Sequence, residues 1–284
     1  MNISVNLMNV ADTLDGSLRI MRDAGFQGID FSFCEQWDKP EKFLSEEYRQ
    51  ELLSLAKSIR EVGMEFPQCH LPYLPGDVVI GDGTYQAFED WFLPMYIRSL
   101  EICSEIGCRV AVIHLYFEKD AQATFLGNIA LMKKLLPYLE QYDVTLAIEN
   151  IFGGGQAYEN CHISLPEDIL RYVTELNHPK IGICLDTGHA NLFKLNVVEM
   201  ARRYGSHLVA MHIHGNGGED EHLVPGLAPT WVDFTDYYEL AKALKEIGYP
   251  GSFNLEIGFS TLPMRARKYF VSMAYEAAFG YVNP

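Results

Sequence analysis

The sequence contains no long apolar stretch. No segment approaches the roughly 20 apolar residues that a helix needs to cross a membrane. The opening residues MNISVNLMNV also lack the basic and apolar regions of a secretory signal. These two absences argue against a membrane partner and against secretion, and we therefore expect a cytoplasmic protein.

Positive charge is also scarce. The 284 residues include 22 Lys and Arg against 38 Asp and Glu, which gives a formal net charge of −16. Binding to DNA or RNA depends on Lys and Arg contacts with phosphates, and an acidic surface repels polyanions. No basic cluster exceeds short pairs such as Arg202-Arg203. We therefore expect no nucleic-acid partner.

The cysteines lack any paired spacing. There are six of them, and none forms a CxxC pair. Cys34, Cys69 and Cys184 fall inside apolar, strand-like runs, where buried free thiols are common. This usage is consistent with a reducing cytoplasm.

What the chain does contain is a regular alternation of short β-like runs and longer helical patterns. The predicted strands are 3–7, 28–33, 64–71, 109–115, 144–150, 181–186, 208–214 and 252–257. The predicted helices are 17–25, 46–62, 85–106, 121–142, one from about Ser164, 197–204, 235–247 and 263–279. The strand runs are almost continuously apolar, as in parallel strands that are covered on both faces.

Eight successive βα units of this length predict the α/β class and a single (β/α)8 barrel domain over residues 1–284. Helical patterns repeatedly stop at a glycine just before a strand, which supports the same division. The alternative is a doubly wound open sheet, which should carry a Gly-rich phosphate fingerprint after an early strand. None is present, because the GGG at 153–155 follows the fifth strand and lacks the spacing.

Potential metal ligands lie at the ends of six successive predicted strands. They are His70, His114, Glu149, Asp186, the pair His212 and His214, and Glu256. In (β/α)8 barrels the carboxyl ends of the strands carry the chemistry, so we expect these side chains to meet on one rim. A lone His or Glu at a strand end is most often structural, but the whole set indicates a site.

The three carboxylates of this set indicate a divalent cation. Glu149, Asp186 and Glu256 sit in otherwise apolar runs, where a charge is costly unless it is paired or bound to a metal. The only Lys or Arg in these runs are Arg109 and Lys180, at the opposite strand ends. Two Glu, one Asp and one His suit Mn²⁺, Zn²⁺, Mg²⁺ or Co²⁺, and the oxygen-rich set favours Mn²⁺ or another fairly hard ion. A GxSxG nucleophile motif is absent.

The segments LAIEN, ICLDTGHAN, MHIHGNGGEDEHLVPG and NLEI resemble the xylose isomerase-like superfamily. That group includes sugar phosphate isomerases and epimerases, ketose 3-epimerases, hydroxypyruvate isomerases and endonuclease IV. The resemblance implies one metal ion held by Glu149, Asp186, His212 and Glu256. It also implies that Glu149 and Glu256 are the catalytic acid/base pair.

The same resemblance implies roles for the neighbouring residues. We expect the substrate to be bound by His189, His70, His114, His214, His222 and Asn150. Asp220, His222 and His189 match positions that hold extra metal in the endonuclease. Aromatic residues that follow the strand ends are expected to wall a pocket for the apolar face of a sugar. They are Phe33, Trp37, Tyr73, Tyr116, Phe152, Phe193 and Trp231.

Two departures from the family pattern leave the substrate open. The family usually has an acidic residue where Gly215 stands, and its PGxGxIDF motif is here the longer PGLAPTWVDF. The favoured function is isomerisation or epimerisation of a sugar or sugar phosphate through an enediolate. An endonuclease IV-like multi-zinc phosphodiesterase is disfavoured by the acidic GGEDEH loop. A non-catalytic sugar- or metal-binding subunit is disfavoured by the retained glutamate pair, and a homo-oligomer remains open.

Overall fold

The computed structural model of the protein describes residues 1–34, 38–73, 85–118, 120–152, 165–259 and 261–284. Eight parallel strands lie in these ranges. They are β1 (Ile3–Asn6), β2 (Gly28–Ser32), β3 (Cys69–His70), β4 (Val110–Ile113), β5 (Thr145–Glu149), β6 (Ile181–Asp186), β7 (Leu208–His212) and β8 (Phe253–Leu255). The order in the sheet is β7-β6-β5-β4-β3-β2-β1-β8.

The sheet closes between β7 and β8. The N–H of Ile213 donates to the carbonyl of Asn254 at 2.8 Å, and the N–H of Glu256 donates to the carbonyl of Ile213 at 3.1 Å. A parallel bridge joins Ile213 to Leu255. The predicted (β/α)8 barrel is therefore confirmed.

Helices lie between the strands. Within the described residues they are α1 (Leu14–Ala24), α2 (Pro40–Phe43), α3 (Glu46–Glu61), α4 (Tyr85–Ile106), α5 (Ala121–Tyr142), α6 (Pro166–Leu176), α7 (Thr187–Leu192), α8 (Val197–Tyr204), α9 (Tyr237–Glu246) and α10 (Met264–Val282). None of the described helices is both long enough and apolar enough to span a membrane.

Side-chain caps explain where several helices begin. The hydroxyl of Thr13 accepts a hydrogen bond from the N–H of Gly16, so α1 starts three residues before the predicted position. Asp120 and Asp236 cap α5 and α9 in the same way. The predicted glycine stops are also found, since Gly63 after α3 has a φ of 83°, a conformation that favours glycine.

The third strand is much shorter than the predicted run 64–71. Pro67 lies inside that run and has no N–H to donate to a sheet, so only an isolated bridge joins Glu65 to Gly28. The short helices α2 and α7 were not predicted. The start of the helix expected near Ser164 lies outside the described residues, and α6 is described from Pro166.

Polar side chains fill the barrel interior between β1, β2 and β8. The Ser4 hydroxyl donates to Asn254 Oδ1 at 2.7 Å, and Asn254 Nδ2 donates to Asp30 Oδ2 at 2.8 Å. Gln68 Nε2 donates to the same Asp30 oxygen at 2.8 Å. All four residues are buried. Val112, Ala147, Cys184 and Ala210, from β4 to β7, form a separate small apolar cluster.

Candidate active site

The carboxyl ends of β3 to β8 surround a cavity of about 280 Å³. Its described lining is His70, Tyr73, His114, Glu149, Ile151, Phe152, His189, Asp220, His222 and Glu256. Seven of these ten side chains are imidazoles or carboxylates, so the cavity is built to bind cations or hydroxyl groups. It lies at the rim where the sequence predicted the chemistry.

His212 lies at the meeting point of three carboxylates. Its Nδ1 is 3.1 Å from Glu149 Oε1, 3.3 Å from Glu256 Oε2 and 4.0 Å from Asp186 Oδ2. The three acids come from the ends of β5, β6 and β8, and His212 ends β7. One imidazole nitrogen and three carboxylate oxygens therefore converge on a small volume.

Glu149 has imidazoles on both sides. Its Oε2 is 3.1 Å from His114 Nε2 and 3.4 Å from His70 Nε2, while its Oε1 is 3.3 Å from His189 Nδ1. Burial by itself would raise the pKa of the Glu149 carboxyl. The imidazoles of His212 and His114 outweigh burial and hold this pKa well below its usual range. The side chain is therefore an anion inside the protein.

Asp186 has a structural task besides its place in the cluster. Its Oδ1 accepts a hydrogen bond from the N–H of His189 at 2.6 Å and thereby caps α7. Its Oδ2 is 3.1 Å from His214 Nε2. The DTGH segment thus combines a helix start with a cluster of ligand-type side chains. This is why a helix begins directly where β6 ends.

A second acidic group closes the cavity from the loop after β7. Asp220 Oδ1 is 3.4 Å from His222 Nε2 and 3.7 Å from His189 Nε2. Burial would lower the pKa of His222, but Asp220 and Glu256 outweigh it and raise this pKa to about 9. His222 also stacks on His214, with ring centroids 4.1 Å apart. The loop is therefore fastened to the rim by charge and by ring contact.

The donor set fits a divalent cation. Glu149 Oε2 and both ring nitrogens of His212 are buried and have no hydrogen-bond partner. No Lys or Arg among the described residues forms an ion pair with Glu149, Asp186 or Glu256. Buried polar atoms are normally paired, and buried charges are normally compensated or bound to a metal. Three oxygen ligands with one imidazole are a set that suits Mn²⁺, Mg²⁺, Zn²⁺ or Co²⁺.

Two of the predicted site residues do not line the cavity. Asn150 directs its side-chain amide to the main chain of Asp186. His214 is fully buried behind His222 and does not line the cavity. Among the aromatic residues, Tyr73 and Phe152 line the cavity, whereas Trp231 is 76% exposed. Trp37 lies outside the described residues.

Asp30 was not among the site residues predicted from the sequence. This carboxylate lies in β2, and its Oδ2 is 3.4 Å from His212 Nε2. The available signal was an acid inside the apolar run GIDFSF, as for the acids already noted. It was overlooked because it stands within the predicted strand instead of at its end.

Two glycines near the site have close neighbours. A Cβ at Gly188 would stand 2.0 Å from Cε1 of His214, so DTGH needs a glycine at its third position. A Cβ at Gly215 would stand 2.6 Å from Asp233 Oδ2, and this carboxylate also accepts a hydrogen bond from the Tyr237 hydroxyl at 2.8 Å. The carboxyl group that lies beside position 215 is therefore that of Asp233, which belongs to the PGLAPTWVDF segment.

Comparison with known proteins gives consistent matches. The sequence model of the family described as xylose isomerase-like TIM barrel matches residues 18–269. The chain is 28% identical over 138 residues to the D-psicose 3-epimerase of Enterocloster bolteae, covering 48% of this chain and 41% of that enzyme. It is 25% identical over 166 residues to the uncharacterized protein MJ1311 of Methanocaldococcus jannaschii, covering 56% and 54%. The chain thus matches about half the length of these relatives or less.

Solved structures resemble the whole chain. A D-tagatose 3-epimerase-like protein has a TM-score of 0.72 at 20% identity, covering 99% of this chain and 100% of that one. The 3-keto-D-glucoside 4-epimerase YcjR from E. coli has a TM-score of 0.73 at 16% identity, covering 97% and 99%. At these identities the similarity establishes the fold.

Proposed function

The chain belongs to the xylose isomerase-like TIM-barrel family, and from this premise we propose that it is a metal-dependent sugar isomerase or epimerase. Its named relatives include D-psicose 3-epimerases and a ketose 3-epimerase. The substrate is a sugar or sugar phosphate with a carbonyl group. We also propose that residues 1–284 form a single domain.

One observation carries the proposal. Three carboxylate oxygens lie within 4.0 Å of His212 Nδ1, one each from Glu149, Glu256 and Asp186. We assign these four residues as the ligands of one divalent ion, namely Mn²⁺, Zn²⁺, Mg²⁺ or Co²⁺. When bound, such an ion acts as a Lewis acid that polarises a substrate carbonyl and acidifies the adjacent C–H.

The two glutamates move the proton. Glu149 ends β5 and Glu256 follows β8, and the sheet order places these strands on different sides of the barrel mouth. A substrate between them presents one face of its reacting carbon to each carboxylate. One glutamate removes the proton beside the carbonyl, which leaves an enediolate, and the other returns a proton. Transfer on opposite faces inverts the carbon.

The imidazoles around the cavity bind and orient the substrate. His70, His114, His189 and His222 line the cavity with nitrogens that donate to or accept from hydroxyl groups. The ring of Phe152 lies beside His189 with centroids 4.9 Å apart and planes tilted by 54°, and the ring centroids of Tyr73 and His114 are 4.3 Å apart. These two rings supply apolar surface for the C–H face of a sugar and exclude water from the reacting carbon.

The decisive experiment measures exchange of carbon-bound hydrogen with D₂O. A panel of ketoses, ketose phosphates and inosose-like ketones is incubated with the protein and Mn²⁺, and deuterium uptake is followed by NMR. We expect uptake with at least one compound, and its loss in Glu149→Gln and Glu256→Gln. Glu246→Gln, on the outer helix α9, is the matched control and keeps full activity. If both site variants exchange as fast as the wild type, the mechanism is wrong.

A multi-metal phosphodiesterase is the second candidate, and a specific observation favours it. Two further groups of side chains could hold an ion, and within each group the ligand atoms lie within 4.8 Å of one another. One group is His70, His114 and Glu149, and the other is His214, His222 and Glu256. Asp220 and His189 adjoin them. The acidic loop residues Glu219 and Glu221 and the net charge of −16 disfavour a polyanionic substrate. Metal analysis decides, because two or three ions per chain with cleavage of abasic duplex would replace the isomerase proposal.

A further inference from the structure

Asp30 is a buried carboxylate that lies below the rim and outside the proposed ligand set. It is 4% exposed and belongs to β2, on the other side of the barrel from His212 in β7. Its Oδ2 accepts hydrogen bonds from Gln68 Nε2 and Asn254 Nδ2, both at 2.8 Å. In the described part of the chain no Lys or Arg forms an ion pair with it. The barrel thus keeps a carboxylate in its interior with amide donors as its main support.

The same oxygen faces His212. Asp30 Oδ2 is 3.4 Å from His212 Nε2, while the other ring nitrogen, Nδ1, faces Glu149 and Glu256 at 3.1 Å and 3.3 Å. The two nitrogens of an imidazole point in diverging directions, so a contact at Nε2 fixes the direction of Nδ1. His212 is fully buried and therefore has no water-facing orientation to adopt.

Ring stacking alone does not orient this imidazole. His70 stacks on His212, with centroids 5.4 Å apart and planes 13° from parallel. A stack restrains the ring plane, but a half-turn about the Cβ–Cγ bond keeps that plane and exchanges Nδ1 with Cδ2. Carboxylates at both nitrogens distinguish the two positions: Glu149 and Glu256 lie at Nδ1, and one further oxygen lies at Nε2. Asp30 Oδ2 is the carboxylate oxygen that stands there in the described structure.

We propose that Asp30 is a positioning residue: its Oδ2 lies 3.4 Å from His212 Nε2 without a formed hydrogen bond, and its charge favours the proton on that nitrogen and so presents Nδ1 to the proposed cation site. The inference rests on the proposed metal ligands and adds a residue that touches neither ion nor substrate. With the proton on Nε2, the lone pair of Nδ1 is free to bind an ion. Gln68 and Asn254 hold the Asp30 carboxylate in place.

The test compares metal binding in Asp30→Asn, Asp30→Ala and the control Ser4→Ala. Ser4→Ala removes one hydrogen bond of the same buried network without altering the contact between Asp30 and His212. Co²⁺ and Mn²⁺ affinity is measured by calorimetry, and the visible spectrum of the Co²⁺-loaded protein reports the ligand field. Unfolding of the metal-free proteins is measured in parallel to separate positioning from a general loss of stability.

We expect Asp30→Asn, which keeps a weaker acceptor, to bind Co²⁺ on the order of tenfold more weakly, with a shifted visible spectrum. Asp30→Ala should lose on the order of a hundredfold, and Ser4→Ala should bind as the wild type does. If Asp30→Ala does not fold, the isosteric Asp30→Asn decides. If Asp30→Asn has the affinity and the visible spectrum of the wild type, the positioning role of Asp30 is wrong, while the proposed function stands. A wild-type protein that binds no divalent ion overturns the proposed function, and the inference with it.

Discussion

The side chain of Asn150 makes two hydrogen bonds with the main chain of Asp186. Asn150 Oδ1 accepts from the Asp186 N–H at 2.8 Å, and its Nδ2 donates to the Asp186 carbonyl at 3.0 Å. Both residues are fully buried. The contact joins the end of β5 to the end of β6, and so it sets the spacing between Glu149 and Asp186. The amide acts as a clamp under the site, and its donor and acceptor are both in use.

Replacement of Asn150 by Ala should therefore lower stability before it affects chemistry. Two buried main-chain groups of Asp186 lose their partners, and each such loss costs about 1–3 kcal/mol. We expect the free energy of unfolding in urea to fall by about 2–6 kcal/mol. Asn283→Ala, near the exposed chain end, is the control and should change stability by less than about 0.5 kcal/mol. A similarly small change in Asn150→Ala would contradict the clamp.

Gly188→Ala should damage the site through His214. A Cβ at this position would stand 2.0 Å from Cε1 and 2.5 Å from Nδ1 of a fully buried ring. That ring is held by Asp186 at 3.1 Å and has no free space to occupy. We expect a loss of about 1–3 kcal/mol in chemical unfolding, as in other overpacked cores.

The matched control for Gly188 is Gly258→Ala, where a Cβ would meet nothing within 4 Å. Gly258 also follows a barrel strand, so the two variants differ mainly in local space. Equal stability of the two variants would contradict the prediction, because it would mean that the His214 ring moves aside with no loss in the free energy of unfolding.

The pair His222 and Asp220 should make stability depend on pH in the metal-free protein. The His222 pKa is raised to about 9, above its ordinary value of 6.5. A raised pKa in the folded state means that the stabilising contribution is complete below pH 6.5 and is lost as the pH rises towards 9. Asp220→Asn should lower the His222 pKa, so its cost in stability is larger at pH 6 than at pH 10.

NMR titration of the His222 ring protons measures this pKa directly, and urea unfolding at the two pH values measures the linkage. Glu219→Gln, on the same loop, is the control and should leave the titration unchanged. An ordinary His222 pKa in the wild-type protein would refute the prediction.

Glu256→Gln should separate metal binding from folding. Glu256 is the least buried of the proposed ligands, with its side chain 24% exposed, whereas Asp186 also caps a helix. We expect the metal-free variant to unfold at the wild-type temperature. A ligand at a hundredfold excess over its Kd raises the free energy of unfolding by about 2.7 kcal/mol. We expect Mn²⁺ or Co²⁺ to stabilise the wild-type protein in this way and Glu256→Gln to lose most of that stabilisation. An unchanged gain in thermal scans would remove Glu256 from the ligand set.

Much of the fold was predictable from the sequence because its signals are local. Apolar runs of strand length, helical periodicity and glycine stops depend on neighbours along the chain, and they gave the order of eight βα units. The short β3 and the helix α7 were missed for different reasons. Pro67 removes an N–H that the sheet would need, and Asp186 was interpreted as a ligand when it is also a helix cap.

The sequence by itself determined the barrel and the ends of strands where His and acidic side chains accumulate, since parallel strands bring their carboxyl ends to one rim. Only the tertiary structure decided which way each of these side chains faces. Asn150 turned out to face main chain, and Asp30 to face His212. Such orientations depend on contacts between residues far apart in the chain, as for Asp30 and Asn254 at a separation of 224 positions. Local patterns carry no information about those contacts.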